Sequence, residues 1–263
     1  MINSYFGSLG LSLNGSKSKL MLVGLGAAEK IEPEVKIGDQ VVPQVDKIRY
    51  LGILLDRRLS LDAHWSTVAA SGKVLMGALS RLVQGHRKSI RHLYVERVQS
   101  AFAYGLIPAA PVNQRGWMRL QGLVSYSAHL ITGNHSLHGT DIIELAGISS
   151  PGMLTIKRTL GFIFDCILKG RRWGEWLELT HPDGLQRIDG YYRTGLELKV
   201  PFCFSSLLSR LQPVRALELW NAAVRAIGSG KIRDAIQGKS VFVNTAMPLI
   251  PRFPASIRKA FFV

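Results

Sequence analysis

The stretch IRYLGILLDRRLSLDAHWSTVAASGKVLMGALSRL, residues 48–82, decides the fold class, because its hydrophobic period changes in the middle. Residues 48–55 are rich in aromatic and branched apolar side chains, which is typical of a β-strand. Beyond Ser60 the apolar residues are spaced alternately by four and three positions, which predicts a helix with one buried face. We expect that face to consist of Leu61, Trp65, Val68, Gly72, Leu75, Leu79 and Leu82.

The residues on either side extend this division into a β part and an α part. Upstream, Gly38-Asp39 separates two short apolar runs, as the turn of a β-hairpin does. Downstream, apolar periodicity and helix-ending Gly and Pro residues predict five more helices. They lie near residues 89–106, 114–132, 140–146, 151–169 and 213–227. Three prolines in residues 248–254 favour an extended tail. The predicted fold class is therefore α+β, a small β-rich part followed by a mostly α-helical one.

Basic residues outnumber acidic ones by 33 to 18, which gives the 263-residue chain a net charge of +15. Residues 63–140 contain a single acid, Glu96, and eight bases. The bases are Lys73, Arg81, Arg87, Lys88, Arg91, Arg97, Arg115 and Arg119. A solvated face normally mixes both signs of charge. The pattern instead favours a polyanionic partner, because bound Lys and Arg side chains release counterions from phosphates. Nucleic acid fits it better than an anionic membrane surface.

The remaining composition indicates an intracellular protein, in the nucleus or the cytoplasm. The two cysteines, Cys166 and Cys203, lie in separate apolar contexts and do not form a disulfide scaffold. We expect both to be core thiols. The first residues lack the pattern of a signal peptide, and no run of about 18 apolar residues occurs, so we expect no membrane partner.

Three segments, in order, resemble the reverse transcriptases of non-LTR (LINE-type) retrotransposons. Leu11–Leu22 is similar to the family's L-N-x-x-K-T/S-K stretch, and Ile48–Asp56 contains its Y-L-G motif. Leu130–Gly133 with Thr140–Ile148 is similar to its pattern R-x-I-T-G followed by T-x-x-L-x-x-L-A-G-I. The resemblance extends to roughly residue 170, and each motif is short, so the order and spacing of the three carry it.

The resemblance implies a role for each part of the chain. Residues 1–58 would be the end of the polymerase palm, residues 59–170 a helical thumb and connector, and residues 171–263 a region of unknown role. Tyr50-Leu51-Gly52 would be the turn of the primer-grip hairpin, although Leu51 also fits the strand core. Lys17 and Lys19 would lie near the nucleotide. The eight basic residues would grip an RNA or RNA–DNA duplex through its phosphates.

The chain departs from this family at the catalytic centre. The complete polymerase holds Mg²⁺ with acidic residues, two of which form an adjacent Asp-Asp pair upstream of the Asn-Lys stretch. Here no two Asp residues are adjacent, and the 13 residues before Asn14 contain no acid. We therefore expect no cofactor and no polymerisation by this chain alone. Its partner would be nucleic acid, and also the missing catalytic part or a ribonucleoprotein. The alternative is a domesticated, non-enzymatic RNA-binding protein.

Two other patterns each allow a functional and a structural interpretation. His129, His135 and His138 lack a Cys or acid at ligand spacing, so polar loop histidines fit better than a metal site. Trp173 and Trp176, close to two arginines, suit either stacking on exposed bases or burial in a small apolar cluster.

Overall fold

The computed structural model of the chain describes residues 2–24, 34–83, 86–168, 198, 200 and 212–261. Within these residues the fold is mostly helical with two small antiparallel sheets, which confirms the α+β class at that level. The chain forms two compact units, Met1–Thr67 and Val68–Val263. No described helix is long and apolar enough to cross a bilayer. Cys166 is buried, as predicted, whereas Cys203, Trp173 and Trp176 lie outside the described residues.

The first unit contains a short helix, a 3-10 turn and two β-hairpins. The bounds are Ile2–Ser8 for α1, Gly15–Lys17 for the 3-10 turn, Lys36–Ile37 for β1, Gln40–Val41 for β2, Lys47–Tyr50 for β3 and Ile53–Asp56 for β4. β1 pairs antiparallel with β2 across a turn in which Gly38 has φ of 60°, so this predicted hairpin is confirmed. Gly15 packs against β2, because a Cβ atom there would lie 2.9 Å from Cβ of Gln40.

Residues 48–55 form a hairpin, which agrees with the hairpin that the resemblance implies, whereas the prediction of one continuous strand from their composition is wrong. β3 pairs with β4 from Lys47 opposite Asp56 to Tyr50 opposite Ile53, which leaves Leu51 and Gly52 as a two-residue turn. Both turn residues have positive φ, 46° and 85°, as a type I′ turn requires. Leu51 is 70% exposed, so its predicted place in the core is also wrong. The composition of residues 48–55 does not indicate this turn, because a Leu rarely adopts the left-handed conformation.

Helices form most of the rest of the described chain. Their bounds are Asp62–Leu82 for α2, Arg87–Leu93 for α3, Ser100–Ala109 for α4, Gln114–Thr132 for α5, Gly139–Leu145 for α6, Pro151–Leu168 for α7, Gln212–Ile227 for α8, Ser229–Ala235 for α9, Lys239–Ala246 for α10 and Ala255–Ala260 for α11. A π-helical segment, Tyr94–Gln99, joins α3 to α4. A 3-10 segment, Met247–Arg252, follows α10. The helices predicted from periodicity are confirmed apart from small shifts at their ends, except that the π-helical segment divides the helix predicted near residues 89–106 into two.

The buried face of α2 differs from the predicted one towards the C-terminal end of the helix. Leu61 and Trp65 are buried as expected, but Leu75 is 39% exposed and Leu82 is 77% exposed. The predicted positions repeat every 3.5 residues, whereas an α-helix turns every 3.6, so the pattern drifts by about 60° over three heptads. Met76 is fully buried instead of Leu75.

The C-terminal residues complete the core of the second unit. Trp220 of α8 stacks on Phe242 of α10, with 4.7 Å between ring centroids, and Phe164 of α7 lies 5.7 Å from the same ring. Ile250, Phe253, Ile257 and Phe261 are buried in this cluster. The predicted extended tail is therefore wrong. Those four residues are spaced by three, four and four positions, which is a helical period that the prolines obscured.

Candidate nucleic-acid interface

The tip of the β3–β4 hairpin presents apolar side chains to solvent. Tyr50 is 63% exposed, and Leu51 follows it in the left-handed conformation described above. The next residue, Gly52, leaves backbone without a side chain beside the tyrosine ring. An exposed aromatic ring next to bare backbone can contact a base or a sugar closely, because every base offers a π-face for stacking. The structure thus brings Tyr50, Leu51 and Gly52 together at one exposed turn.

The side chain of His64 joins the hairpin to the start of α2. His64, in the first turn of α2, accepts a hydrogen bond at Nδ1 from the Leu54 backbone N–H, at 3.4 Å. Burial, and secondarily the charge of Arg49, hold the pKa of His64 below its ordinary value.

Asp56, the last residue of β4, organises the loop that leads into α2. Its Oδ1 atom accepts from the backbone N–H groups of Arg58 and Ser60, both at 3.1 Å. Its Oδ2 atom accepts from the Leu61 N–H at 2.8 Å and from the Ser60 hydroxyl at 3.0 Å. Sequence reasoning did not predict this role of Asp56. The available signal was an Asp at the end of an apolar run, since an Asp side chain readily accepts from the backbone N–H two residues further on.

Lys17 and Lys19 are both exposed in the segment that follows α1. Asn14 shapes this segment, because its Oδ1 accepts from the Lys17 N–H at 3.1 Å and from the Ser16 hydroxyl at 2.6 Å. The Ser18 hydroxyl donates to the Asn14 carbonyl at 2.8 Å. The two lysines are therefore presented by an ordered turn.

Six of the eight predicted phosphate contacts are exposed bases whose side chains have no ion-pair partner among the described residues. Arg87 and Arg91 belong to this group and also contact helix ends, and the other four are Lys73, Arg81, Lys88 and Arg97. Lys73 and Arg81 lie eight residues apart on α2, so their backbones are separated by about 12 Å along the helix axis. A positive side chain without a carboxylate neighbour retains its full charge for an anionic ligand.

Arg87 and Arg91 contact the ends of neighbouring helices. A Cβ atom on Gly133, the left-handed residue that ends α5, would lie 3.0 Å from Nη2 of Arg87. Arg91 donates from Nε and Nη2 to the carbonyl of Gly147, just after α6, at 3.3 and 2.8 Å. A cation at a helix C-terminus opposes the negative end of the helix dipole. Both arginines thus stabilise the fold while remaining exposed.

Arg115 and Arg119 lie one turn apart near the start of α5. With Gln114 and Met118 they line a shallow pocket of about 430 Å³. Asn113 caps this helix through its Oδ1 atom, which accepts from the Gly116 N–H at 2.9 Å. The first turn contains no acid, so the positive end of the helix dipole adds to the two arginines.

The three histidines from the sequence analysis come together beside the end of α5. The rings of His135 and His138 each have their centroids 5.8 Å from that of His129. His129 lies within α5, not in a loop, and its Nδ1 is 2.7 Å from the Asn134 carbonyl. Among the described residues no group of three His, Cys, Asp or Glu side chains could hold a metal ion.

Sequence reasoning missed Arg215 of α8. This side chain is only 8% exposed, and its guanidinium donates to three backbone carbonyls that belong to distant segments. The available signal was an arginine inside the apolar run Val214–Leu217, because a buried charge needs specific partners. The carbonyl partners of Arg215 are set by tertiary contacts, which a single sequence does not reveal.

Comparison with known protein families, with curated proteins and with solved structures gives no match to this chain.

Proposed function

We propose that the chain is a segment of a non-LTR retrotransposon-type reverse transcriptase, and that its own activity is to bind a template–primer duplex of RNA or RNA–DNA. The observation that carries this proposal is the set of exposed bases without carboxylate partners, which includes Lys73, Arg81, Lys88 and Arg97. Such a surface suits a phosphate backbone. The resemblance in the three motifs supplies the polymerase context.

The exposed hairpin tip supports the same proposal. In this reading Tyr50 and Gly52 lie against the primer strand, and Leu51 contacts a sugar or base edge. Lys17 and Lys19 lie near the nucleotide. Residues 1–58 then belong to the palm and residues 59–170 to the thumb and connector. Polymerisation and its Mg²⁺ belong to the carboxylates of the complete enzyme, because this chain has no adjacent Asp pair.

The test is a titration of a fluorescent RNA–DNA duplex with the full chain over a series of salt concentrations. We expect the double variant Lys88→Gln/Arg97→Gln to bind the duplex more weakly. The slope of log K against log salt concentration should also become shallower by about two, since each phosphate contact contributes about 0.9 to this slope. The matched control is Lys231→Gln/Arg252→Gln, which removes two exposed bases from the C-terminal part of the second unit. Equal slopes in both variants would reject the assignment.

Two further ligands separate the alternatives in the same assay. Tighter binding of a folded single-stranded RNA than of the duplex would favour the domesticated RNA-binding protein. Tighter binding of anionic vesicles than of either nucleic acid would reject both proposals and favour a membrane surface.

A further inference from the structure

A cavity of about 950 Å³ lies between the start of α5 and helix α11. Its walls come from three segments that are distant in sequence: residues 112–117, Arg215 of α8 and residues 255–260. Three of the lining side chains are basic, Arg215, Arg258 and Lys259, and none of the described lining residues is acidic. The cavity therefore concentrates positive charge in a concave site.

Arg215 is fixed in the wall of this cavity. Its Nη1 atom donates to the Pro111 carbonyl at 3.1 Å and to the Ala260 carbonyl at 3.4 Å, and Nη2 donates to the Val112 carbonyl at 3.3 Å. These neutral carbonyls orient the guanidinium. Glu218 is an acid that interacts electrostatically with Arg215. Burial raises the pKa of Glu218 and the charge of Arg215 opposes that rise, but Glu218 is not among the described residues that line the cavity.

Arg258 and Lys259 add charges that a ligand can reach. Arg258 donates from Nε to the Phe253 carbonyl at 3.2 Å, which orients its guanidinium. Lys259 is exposed and has no carboxylate partner among the described residues. The two side chains differ in kind, one a planar fork and the other a mobile point charge, and both are common ligands of phosphate oxygens.

The cavity also opens at the positive end of a long helix. Asn113 and Gln114, which begin the 19-residue helix α5, line it. The shallow pocket formed by Arg115 and Arg119 shares Gln114 with the cavity, so the two concave surfaces adjoin. A strand that leaves the cavity could continue over these two arginines. The helix end and the three basic side chains together match a dianion better than a singly charged carboxylate.

We propose that this cavity binds a phosphate monoester. Lys259 and Arg258 contact the phosphate oxygens, and Arg215 is a positioning residue that supplies a fixed positive charge. A free nucleotide and the phosphorylated end of a nucleic-acid strand present the same group. The site does not depend on the duplex binding proposed above, because it uses none of Lys73, Arg81, Lys88 and Arg97.

The experiment compares two single-stranded oligonucleotides of one sequence, with and without a 5′-phosphate, by fluorescence anisotropy with the full chain. We expect the phosphorylated strand to bind roughly tenfold more tightly, because charge-assisted hydrogen bonds to phosphate are strong. Lys259→Gln should abolish most of this preference. Lys231→Gln, an exposed lysine that does not line the cavity, should keep the preference.

Competition identifies the source of the phosphate. If adenosine monophosphate displaces the phosphorylated strand and adenosine does not, the site also takes free nucleotides. If neither displaces it while the preference still depends on Lys259, the site takes strand ends. Equal affinity for the two strands, or a preference that persists in Lys259→Gln, would overturn the inference. If the native chain does not bind the duplex but still prefers the phosphorylated strand, only the proposed function is rejected.

Discussion

Nδ1 of His64 accepts a hydrogen bond from the backbone N–H of Leu54, which joins the first turn of α2 to strand β4. An acceptor nitrogen must be unprotonated, and burial together with Arg49 lowers the pKa of His64, so the folded state favours the neutral ring. The unfolded chain takes up the proton more readily. This histidine therefore stabilises the fold above its unfolded pKa, near 6.5, and the contribution is lost as the pH falls below that value.

The first prediction concerns this pH dependence. We expect the free energy of unfolding to decrease between about pH 7 and pH 5 more steeply in the native sequence than in His64→Asn, whose amide oxygen accepts without titrating. Chemical denaturation followed by tryptophan fluorescence measures the difference. Parallel profiles of unfolding free energy against pH for the two proteins would show that His64 does not control the pH dependence of stability.

The second prediction concerns the loop between β4 and α2. Leu59 and Leu61 both have left-handed backbone conformations there, with φ of 49° and 59°, and Asp56 accepts the hydrogen bonds that hold the loop. Asp56→Ala should destabilise the fold by about 2 kcal/mol, because it leaves several backbone donors without their acceptor. Asp56→Asn, which keeps one acceptor oxygen, should lose less. Equal losses in denaturant titrations would contradict this account.

The third prediction separates stability from binding at the hairpin tip. Leu51→Asn places a residue that tolerates the left-handed conformation before Gly52, so it should stabilise the hairpin by about 1 kcal/mol. If the apolar tip contacts the primer, the same substitution should weaken duplex binding. Thermal unfolding and duplex titration of one variant measure both effects. Unchanged affinity in the more stable variant would remove Leu51 from the interface.

The fourth prediction concerns Tyr94, at the start of the π-helical segment. Its side chain is fully buried, its hydroxyl has no hydrogen-bond partner among the described residues, and burial raises its pKa. Tyr94→Phe removes a buried donor that gains nothing in the fold, so stability should stay equal or rise by up to about 1 kcal/mol. Tyr94→Ala should cost about 3–5 kcal/mol through the cavity that it leaves. A clear loss in Tyr94→Phe would mean that the hydroxyl is bonded.

Local signals account for the part of the fold that was predictable. The bounds of helix α5 agree with those predicted from its apolar period, and the structure shows that Asn113 caps its start and that Gly133, in the left-handed conformation, ends it. The turn at Leu51 was not predictable in this way, since its left-handed leucine is an exception to the residues that favour such turns. The prediction of an extended tail was wrong because it followed the prolines, whereas the burial of Phe253 and Phe261 determines how this segment folds.

The candidate site was predictable only in its charges. The basic surplus of residues 63–140 pointed to exposed cations, and Lys73 and Arg97 are exposed. The contact of Arg91 with Gly147 spans 56 residues, and those of Arg215 with Pro111 and Val112 span more than 100. Contacts of such separation depend on the packing of helices, which periodicity within one helix does not specify.

Helix α11 carries two contributions that deletion cannot separate. Ile257 and Phe261 are buried in the core, while Arg258 and Lys259, between them, line the cavity. A chain shortened by its last ten residues would lose a wall of the cavity and uncover apolar core at once. Truncation mapping would therefore assign any loss of ligand binding to this helix, whether the cause is missing charge or unfolding. Single substitutions at the two basic residues keep the two causes apart.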